Sequence, residues 1–198
     1  MILKNFVVIE GLDGSGTTTQ LKELSSNLES SYPTCEPTDG NVGKLIKQIL
    51  KNEISVEPMT LAYLFSADRN EHLYSANGVT ERCKNGQIVI SDRYLFSSLA
   101  YQSLYCEFND ILLLNDKFPL PEIVFFINTD PELCLQRIQK RNHEKEIFDD
   151  LEIQKKVLKN YIKSFDILKE KGLKILNIDG SLSVKTILDI ELSYLKNR

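Results

Sequence analysis

An apolar run that leads into a glycine-rich loop constrains the fold of this chain more than any other feature. The run Phe6-Val7-Val8-Ile9 has the β-branched, apolar character of a buried parallel strand. The loop that follows reads Gly11-Leu12-Asp13-Gly14-Ser15-Gly16-Thr17-Thr18-Thr19, and a helix-like segment comes next. Glycines let the backbone curl, so that successive N–H groups and the helix N-terminus can surround phosphate oxygens. The alternative is a strand-to-helix turn that binds no ligand, because short patterns also occur by chance.

Further apolar runs alternate with helix-like segments along the chain. Strands are predicted at Ile88-Val89-Ile90, at Ile123-Val124-Phe125-Phe126-Ile127, at Lys174 to Ile178 and, more briefly, near Cys35. Helices are predicted at Thr19 to Ser30, Val42 to Lys51, Met59 to Cys83, Pro131 to Lys140, Asp149 to Lys171 and Ser183 to Leu195. This alternation implies right-handed crossovers, and hence a doubly wound, parallel α/β sheet of about five strands flanked by helices. The 198 residues suffice for one buried core, so a single domain over 1–198 is expected.

Composition excludes several classes of partner. The formal net charge of −4 provides no basic field of the kind that attracts nucleic acid or anionic lipid. No apolar run approaches the ~20 residues that cross a bilayer. The four cysteines lack metal-site spacing, His72 and His143 lie apart from them, and no leader-like segment precedes the first strand. We therefore expect reduced thiols, a cytoplasmic location, and binding to neither nucleic acid nor membrane.

The loop departs from the usual phosphate-binding pattern at one position. In G-x-x-x-x-G-K-[ST], the last residue supplies a hydroxyl to Mg²⁺, and Thr18 occupies that position. Thr17 replaces the lysine. The loop, residues 11–18, therefore offers backbone dipoles to an anion but no point charge.

Two other groups of residues indicate where a second ligand binds. Asp92-Arg93-Tyr94 follows a predicted strand, and an arginine there has a fork that suits phosphate oxygens, with Asp92 able to orient it or hold a metal-bound water. The alternative is a structural ion pair that caps the next helix. Phe65 and Arg69 are spaced i, i+4 on one helix face, where a ring can cover a base and a guanidinium can donate to its edge. Such a pair is also found as a core aromatic beside a surface arginine.

The motifs together resemble the thymidylate kinase family over nearly the whole chain. The matching segments are Ile9-Glu10-Gly11-Leu12-Asp13-Gly14-Ser15-Gly16, Glu36-Pro37-Thr38, Leu64-Phe65-Ser66-Ala67-Asp68-Arg69, and Asp92-Arg93-Tyr94 with Ser97-Ser98-Leu99-Ala100-Tyr101-Gln102. The resemblance implies a P-loop kinase that moves the γ-phosphoryl group of ATP–Mg²⁺ to dTMP in dTTP synthesis. It also implies a homodimer.

The resemblance further implies a role for particular side chains. Asp13 would meet the sugar 3′-hydroxyl, Arg93 would hold the monophosphate, and Tyr101 would lie beneath the 2′ carbon. Phe65 would stack on thymine and Arg69 would reach its O4. Glu36, Ser97 and Ser98 are further predicted substrate-binding residues, and Thr18 and Asp92 are the predicted metal-binding residues. Arg137 and Arg141 resemble the basic residues of a lid that covers approximately 137–149.

The chain departs from the family pattern at three positions. Thr17 replaces lysine, Cys35 stands where many bacterial members have arginine, and Gly14 means that the loop carries no arginine. Arg137 and Arg141 are the predicted substitutes for the missing charge, and the alternative is a solvated basic face paired with Glu144 or Glu146. A deoxynucleoside kinase and a catalytically silent nucleotide-binding module remain alternative functions.

Overall fold

Five parallel strands form a single sheet in the order β2-β3-β1-β4-β5. The computed structural model describes residues 1–140 and 150–197. The strands are β1 (Ile2–Gly11), β2 (Ser31–Cys35), β3 (Ile88–Asp92), β4 (Leu120–Asn128) and β5 (Ile175–Asp179). Each predicted strand is present, and the prediction of a doubly wound parallel sheet is confirmed.

Helices cover both faces of the sheet. Within the described ranges they are α1 (Thr17–Ser26), α2 (Asn41–Leu50), α3 (Pro58–Tyr74), α4 (Val79–Lys84), α5 (Leu95–Tyr101), α6 (Phe108–Asn115), α7 (Pro131–Lys140), α8 (Leu151–Lys169) and α9 (Val184–Lys196), with a 3₁₀ turn at Gln102–Leu104. In this part of the chain, none of the helices has the length and apolar character needed to cross a membrane.

The helix predicted from Met59 to Cys83 is wrong, because the structure has α3 and α4 there with a turn between them. Asn77 has a left-handed backbone, with φ of +58°. A Cβ at Gly78 would lie 2.8 Å from the carbonyl oxygen of Ser75, so the chain folds too tightly there for most side chains. Helices α5 and α6 were not among the predicted helices, since each spans only about two turns and shows little periodicity.

Alternate residues of the central strands pack into two cores. Phe6 and Val8 of β1 face the core beneath α5 and α8, whereas Val7 and Ile9 face the core beneath α1 and α9. Burial of each such side chain contributes about 1.5–3 kcal/mol. These cores hold the strand ends rigidly, and the register pairs Ile9 with Asp92. The carboxyl ends of β1, β2 and β3 therefore meet at one edge of the sheet, where ligands bind in folds of this kind.

Candidate active site

The loop between β1 and α1 has a backbone that only glycine adopts easily. Gly14 and Gly16 have φ values of +85° and +106°. A Cβ on Gly11 would lie 2.4 Å from Ser15 Oγ and 2.9 Å from the carbonyl oxygen of Ile127. The loop therefore curls tightly and presents the N-terminus of α1 at the carboxyl end of β1, an arrangement that favours anions.

Thr17 and Thr18 begin α1 and point to different surroundings. Thr18 Oγ1 donates to Asp92 Oδ2 over 2.6 Å. The other carboxylate oxygen of Asp92 is buried and has no hydrogen-bond partner within residues 1–140 and 150–197. Thr17 is only 5% exposed and brings no charge to the loop.

A hydroxyl and a carboxylate are suitable ligands for Mg²⁺, which usually binds one or two carboxylates together with waters and substrate phosphates. The unpaired oxygen of Asp92 fits this requirement. The described residues contain no group of three or more histidine, cysteine, aspartate or glutamate side chains that could hold a metal alone. The site therefore suits a cation that arrives with a phosphate ligand.

Arg137 lies beside the loop on the side away from Asp92. Its guanidinium donates to the carbonyl oxygens of Ser15, over 3.1 Å, and of Gly180, over 3.0 Å. It lines a cavity of ≈ 340 Å³ together with Lys140, the loop and the start of α9. Arg141 lies outside the described residues, so its pairing with Arg137 stays a prediction.

Arg93 follows β3 and points back across the carboxyl end of β1. Its backbone φ is +71°, an unusual value for a side chain of this size. One amino group of its guanidinium (NH2) pairs with Asp13 Oδ1 at 2.5 Å. Although burial opposes its charged form, nearby Tyr101, Asp13, Tyr161 and Asp92 hold the pKa of Arg93 above its ordinary value.

A second cavity, of ≈ 280 Å³, opens beside Arg93, and we refer to it as the acceptor cavity. The predicted substrate residues that line it are Asp13, Glu36, Phe65, Arg69, Arg93, Ser97 and Tyr101, and the other lining residues include Cys35, Lys47, Asp92 and Gln102. Residues from β2 and β3, from helices α2, α3 and α5, and from the loops after β1, β2 and β3 thus converge on one space. Phosphate loop and acceptor cavity adjoin at Asp13.

Arg69 is held rigidly in the wall of the acceptor cavity. The side chain is 1% exposed, its Nε donates to Glu36 Oε2 over 2.9 Å, and its NH2 nitrogen forms an ion pair with the same oxygen at 2.7 Å. Asn115 accepts from NH1, and Ser98 Oγ accepts from NH2 at 3.1 Å. Ser98 therefore contacts Arg69 directly, and its hydroxyl lies behind the guanidinium. Phe65 and Arg69 both line this cavity, and their contact with one base stays a prediction.

Glu36 is the acidic centre of this network. Its second oxygen, Oε1, lies 3.0 Å from His72 Nδ1, and His72 Nε2 lies 2.7 Å from Thr34 Oγ1. His72 of α3, which contacts Thr34 of β2, thus holds the Glu36 carboxylate in place, and that carboxylate in turn holds Arg69. A buried ion pair with all these partners restricts the rotamer of Arg69.

Tyr101 lies between the phosphate loop and the acceptor cavity. Its hydroxyl accepts a hydrogen bond from the backbone N–H of Asp13 at 3.1 Å, and the guanidinium carbon of Arg93 lies 5.4 Å from its ring centroid. These two contacts hold the tyrosine ring in place beside Arg93, where it forms part of the cavity wall.

Several residues of the site were not identified from the sequence. Glu10 and Tyr161 both contact Ser97, whose hydroxyl is 3.1 Å from Arg93 NH1, and Lys47 lines the acceptor cavity. A carboxylate inside the apolar β1 run was the one available signal for Glu10, since buried acids are rare without partners. Tyr161 and Lys47 lie on helices with ordinary amphipathic patterns, which show nothing of their neighbours.

Comparison with known proteins gives one consistent result. The family model described as thymidylate kinase matches residues 9–189. A Treponema pallidum protein named "Putative thymidylate kinase" is 36% identical over 98% of this chain and 96% of its own length. "Probable thymidylate kinase" proteins from Methanocaldococcus jannaschii and Methanococcus maripaludis strain C6 are 36% and 40% identical, over 100% and 93% of this chain and 98% and 87% of their own lengths.

Proposed function

We infer the activity from one premise: this chain belongs to the thymidylate kinase family. It phosphorylates dTMP to dTDP. The observation that most supports this is the single cavity that joins Arg93 and Asp13, beside the phosphate loop, to Phe65 and Arg69. The end of the cavity with Arg93 suits a phosphate group, and the end with Phe65 and Arg69 suits a base.

On the donor side, ATP binds with its phosphates against the loop from Gly11 to Thr18 and the N-terminus of α1. Thr18 and Asp92 would hold Mg²⁺, which would neutralise part of the negative charge on the phosphates. Arg137 contributes a positive charge next to Ser15. Backbone dipoles and these cations stabilise the charge that spreads over the transferred group.

On the acceptor side, Arg93 holds the monophosphate of dTMP and Asp13 faces the sugar 3′-hydroxyl. Phe65 stacks on thymine and Arg69, held by Glu36 and Ser98, donates to its O4. Ser97 fixes Arg93, and Tyr101 fills the space beneath the 2′ carbon. These residues do no covalent chemistry, since phosphoryl transfer depends mainly on positioning and on charge.

The direct test is ADP formation by the purified chain with ATP, Mg²⁺ and each of three acceptors. Thymidylate is expected to react fastest, uridylate much more slowly because its 2′-hydroxyl meets Tyr101, and thymidine not at all because Arg93 lacks a phosphate to hold. A preference for thymidine would identify a deoxynucleoside kinase. Binding of both nucleotides without turnover would identify a silent nucleotide-binding module, the alternative that the missing lysine keeps open.

We also propose that the protein is a homodimer and that it is cytoplasmic. The family resemblance supports a homodimer, and the exposed apolar side chains Tyr63 and Leu113 are available to bury at an interface. Light scattering after size exclusion tests the dimer. The four free cysteines suit the reducing cytoplasm, and localisation of a tagged chain tests that expectation.

A further inference from the structure

Glu10 is a fully buried carboxylate at the end of β1, and four donors surround it. Oε1 accepts from the backbone N–H groups of Tyr94, at 2.8 Å, and Ser97, at 3.3 Å. Oε2 accepts from Ser97 Oγ at 2.7 Å and from the hydroxyl of Tyr161 at 2.8 Å. Both oxygens are thus committed to donors, as an ionised carboxylate requires in a buried position.

The same two hydroxyls also contact Arg93. Its NH1 group donates to Ser97 Oγ at 3.1 Å, to the Tyr161 hydroxyl at 3.2 Å and to the carbonyl oxygen of Gly11 at 3.0 Å. Ser97 and Tyr161 therefore lie between a buried anion and the guanidinium. Strand β1, the turn after β3 and helices α5 and α8 each contribute a residue to this arrangement.

The direction of each proton follows from the chemistry of the groups. A hydroxyl has one hydrogen and two lone pairs, whereas a carboxylate only accepts and a guanidinium only donates. The hydrogens of Ser97 and Tyr161 consequently point at Glu10, because hydrogen bonds to an ionised oxygen are the stronger ones. Their lone pairs are left to accept from Arg93 NH1. With NH1 fixed in this way, the Nε hydrogen makes no hydrogen bond to a described residue, so it is available to an incoming phosphate.

We propose that Glu10 is a positioning residue for the acceptor, which acts through the hydroxyls of Ser97 and Tyr161 to hold Arg93 in the orientation that receives the acceptor phosphate. This inference rests on the proposed function, because the phosphate in question is that of thymidylate. Glu10 itself touches neither substrate. Its effect should therefore fall on the acceptor and not on ATP.

Replacement of Glu10 by glutamine preserves its shape but cannot satisfy the same neighbours. If the amide nitrogen faces Ser97 Oγ and Tyr161, both hydroxyl hydrogens must turn toward Arg93 or Gly11, where they compete with the guanidinium. If it faces the other way, its hydrogens meet the backbone N–H groups of Tyr94 and Ser97. In each orientation hydrogen-bond donors face or compete with other donors, and a buried donor without an acceptor costs free energy.

The experiment compares Glu10→Gln and Tyr161→Phe with the unmodified chain at pH 8. Burial raises the pKa of Glu10 to about 7, so its carboxylate is ionised at this pH. We expect the KM for thymidylate to rise about tenfold or more in Glu10→Gln, with the KM for ATP changed less than about twofold. Tyr161→Phe should raise the thymidylate KM less, and the double variant should fall short of the product of the two effects.

Glu191→Gln is the matched control, because it replaces another buried acidic side chain, one that lies on α9, away from the acceptor cavity. It should leave both KM values unchanged. Equal increases in the two KM values of Glu10→Gln, or a thymidylate KM within threefold of the unmodified chain, would overturn the proposal. If Glu10→Gln does not fold, Tyr161→Phe decides by the same criterion. Calorimetric titration with thymidylate needs no turnover, so it tests Glu10 even if the unmodified chain forms no ADP.

Discussion

Arg137 is the described residue best placed to compensate for the lysine that Thr17 replaces. Its guanidinium contacts the loop at Ser15 and the turn before α9 at Gly180, so its charge is held beside the loop that we propose binds the ATP phosphates. Because negative charge spreads over the γ-phosphate during transfer, a lost cation costs most in the transition state. We expect Arg137→Ala to lower kcat by roughly 10²–10⁴, with the thymidylate KM little changed.

The control is Lys196→Ala, which removes a positive charge from the exposed end of α9. It should leave kcat unaltered. Thr17→Lys should partly restore kcat in the Arg137→Ala background, because it returns a charge to the loop. A normal kcat in Arg137→Ala would instead mean that the charge comes from another side chain.

Phe65 is the aromatic side chain expected to stack on the base. Phe65→Ala should weaken thymidylate binding by ~1–3 kcal/mol, the scale of base stacking, while ATP affinity stays constant. Tyr74 is a matched control on the same helix, since it is 50% exposed and does not line the acceptor cavity. Calorimetry of Phe65→Ala and Tyr74→Ala distinguishes the two positions, and equal effects would contradict the stacking role.

Lys47 can supply the positive charge that many bacterial family members obtain from an arginine at the position of Cys35. It lines the acceptor cavity and, although burial raises the pKa of the Cys35 thiol, the nearby charge of Lys47 opposes that rise. Asp39 binds its ammonium group at 2.6 Å. We expect Lys47→Ala to raise the thymidylate KM about threefold to tenfold, because one cation near the acceptor phosphate is lost. Lys44→Ala, an exposed neighbour on α2, should have no effect in the same steady-state assay.

At the scale of elements, helix α9 carries an acid in an apolar layer. Glu191 is buried, and neither of its oxygens has a hydrogen-bond partner in the described part of the chain. Burial raises its pKa from 4.5 to about 8. The folded protein therefore holds this group neutral at pH values where the unfolded chain has released the proton.

The sign of the effect on stability follows from this difference. Between pH 4.5 and pH 8 the folded state binds more protons, so its stability falls as pH rises. Glu191→Gln should remove that loss and raise stability at pH 8, relative to pH 5, by a few kcal/mol on the order expected from linkage. Thermal unfolding at both pH values measures it. Glu23→Gln, an exposed acid on α1, should show no such gain, and an equal gain would contradict the assignment.

The elements also show what a sequence can predict. Parallel strands buried on both faces produce continuous apolar runs, so β1, β3 and β4 were found directly. The break between α3 and α4 depends on one left-handed asparagine and one close backbone approach, which hydrophobic periodicity does not register. Short helices such as α6 offer too few turns to establish a period.

At the scale of the whole molecule, the site divides into local and distant parts. The phosphate loop and the Asp92–Arg93 pair were predictable because each lies within a few residues at the end of one strand. Glu10 and Tyr161 lie 151 positions apart in the sequence and meet only because α8 packs over β1 after a crossover. No pattern in the chain encodes such a contact, and only tertiary packing creates it.

The lining of the acceptor cavity affects how quickly a nucleotide finds it. Among its described lining residues, the carboxylates Asp13, Glu36 and Asp92 face the cations Lys47, Arg69 and Arg93, so the formal charges cancel. A balanced site on a chain of net charge −4 exerts no long-range pull on an anion, and its donors act only once the phosphate is within a Debye length of about 10 Å. The association rate constant of thymidylate should therefore change little between low and physiological ionic strength. Stopped-flow tyrosine fluorescence measures it, and a steep fall with salt would show that the molecule steers its substrate from a distance after all.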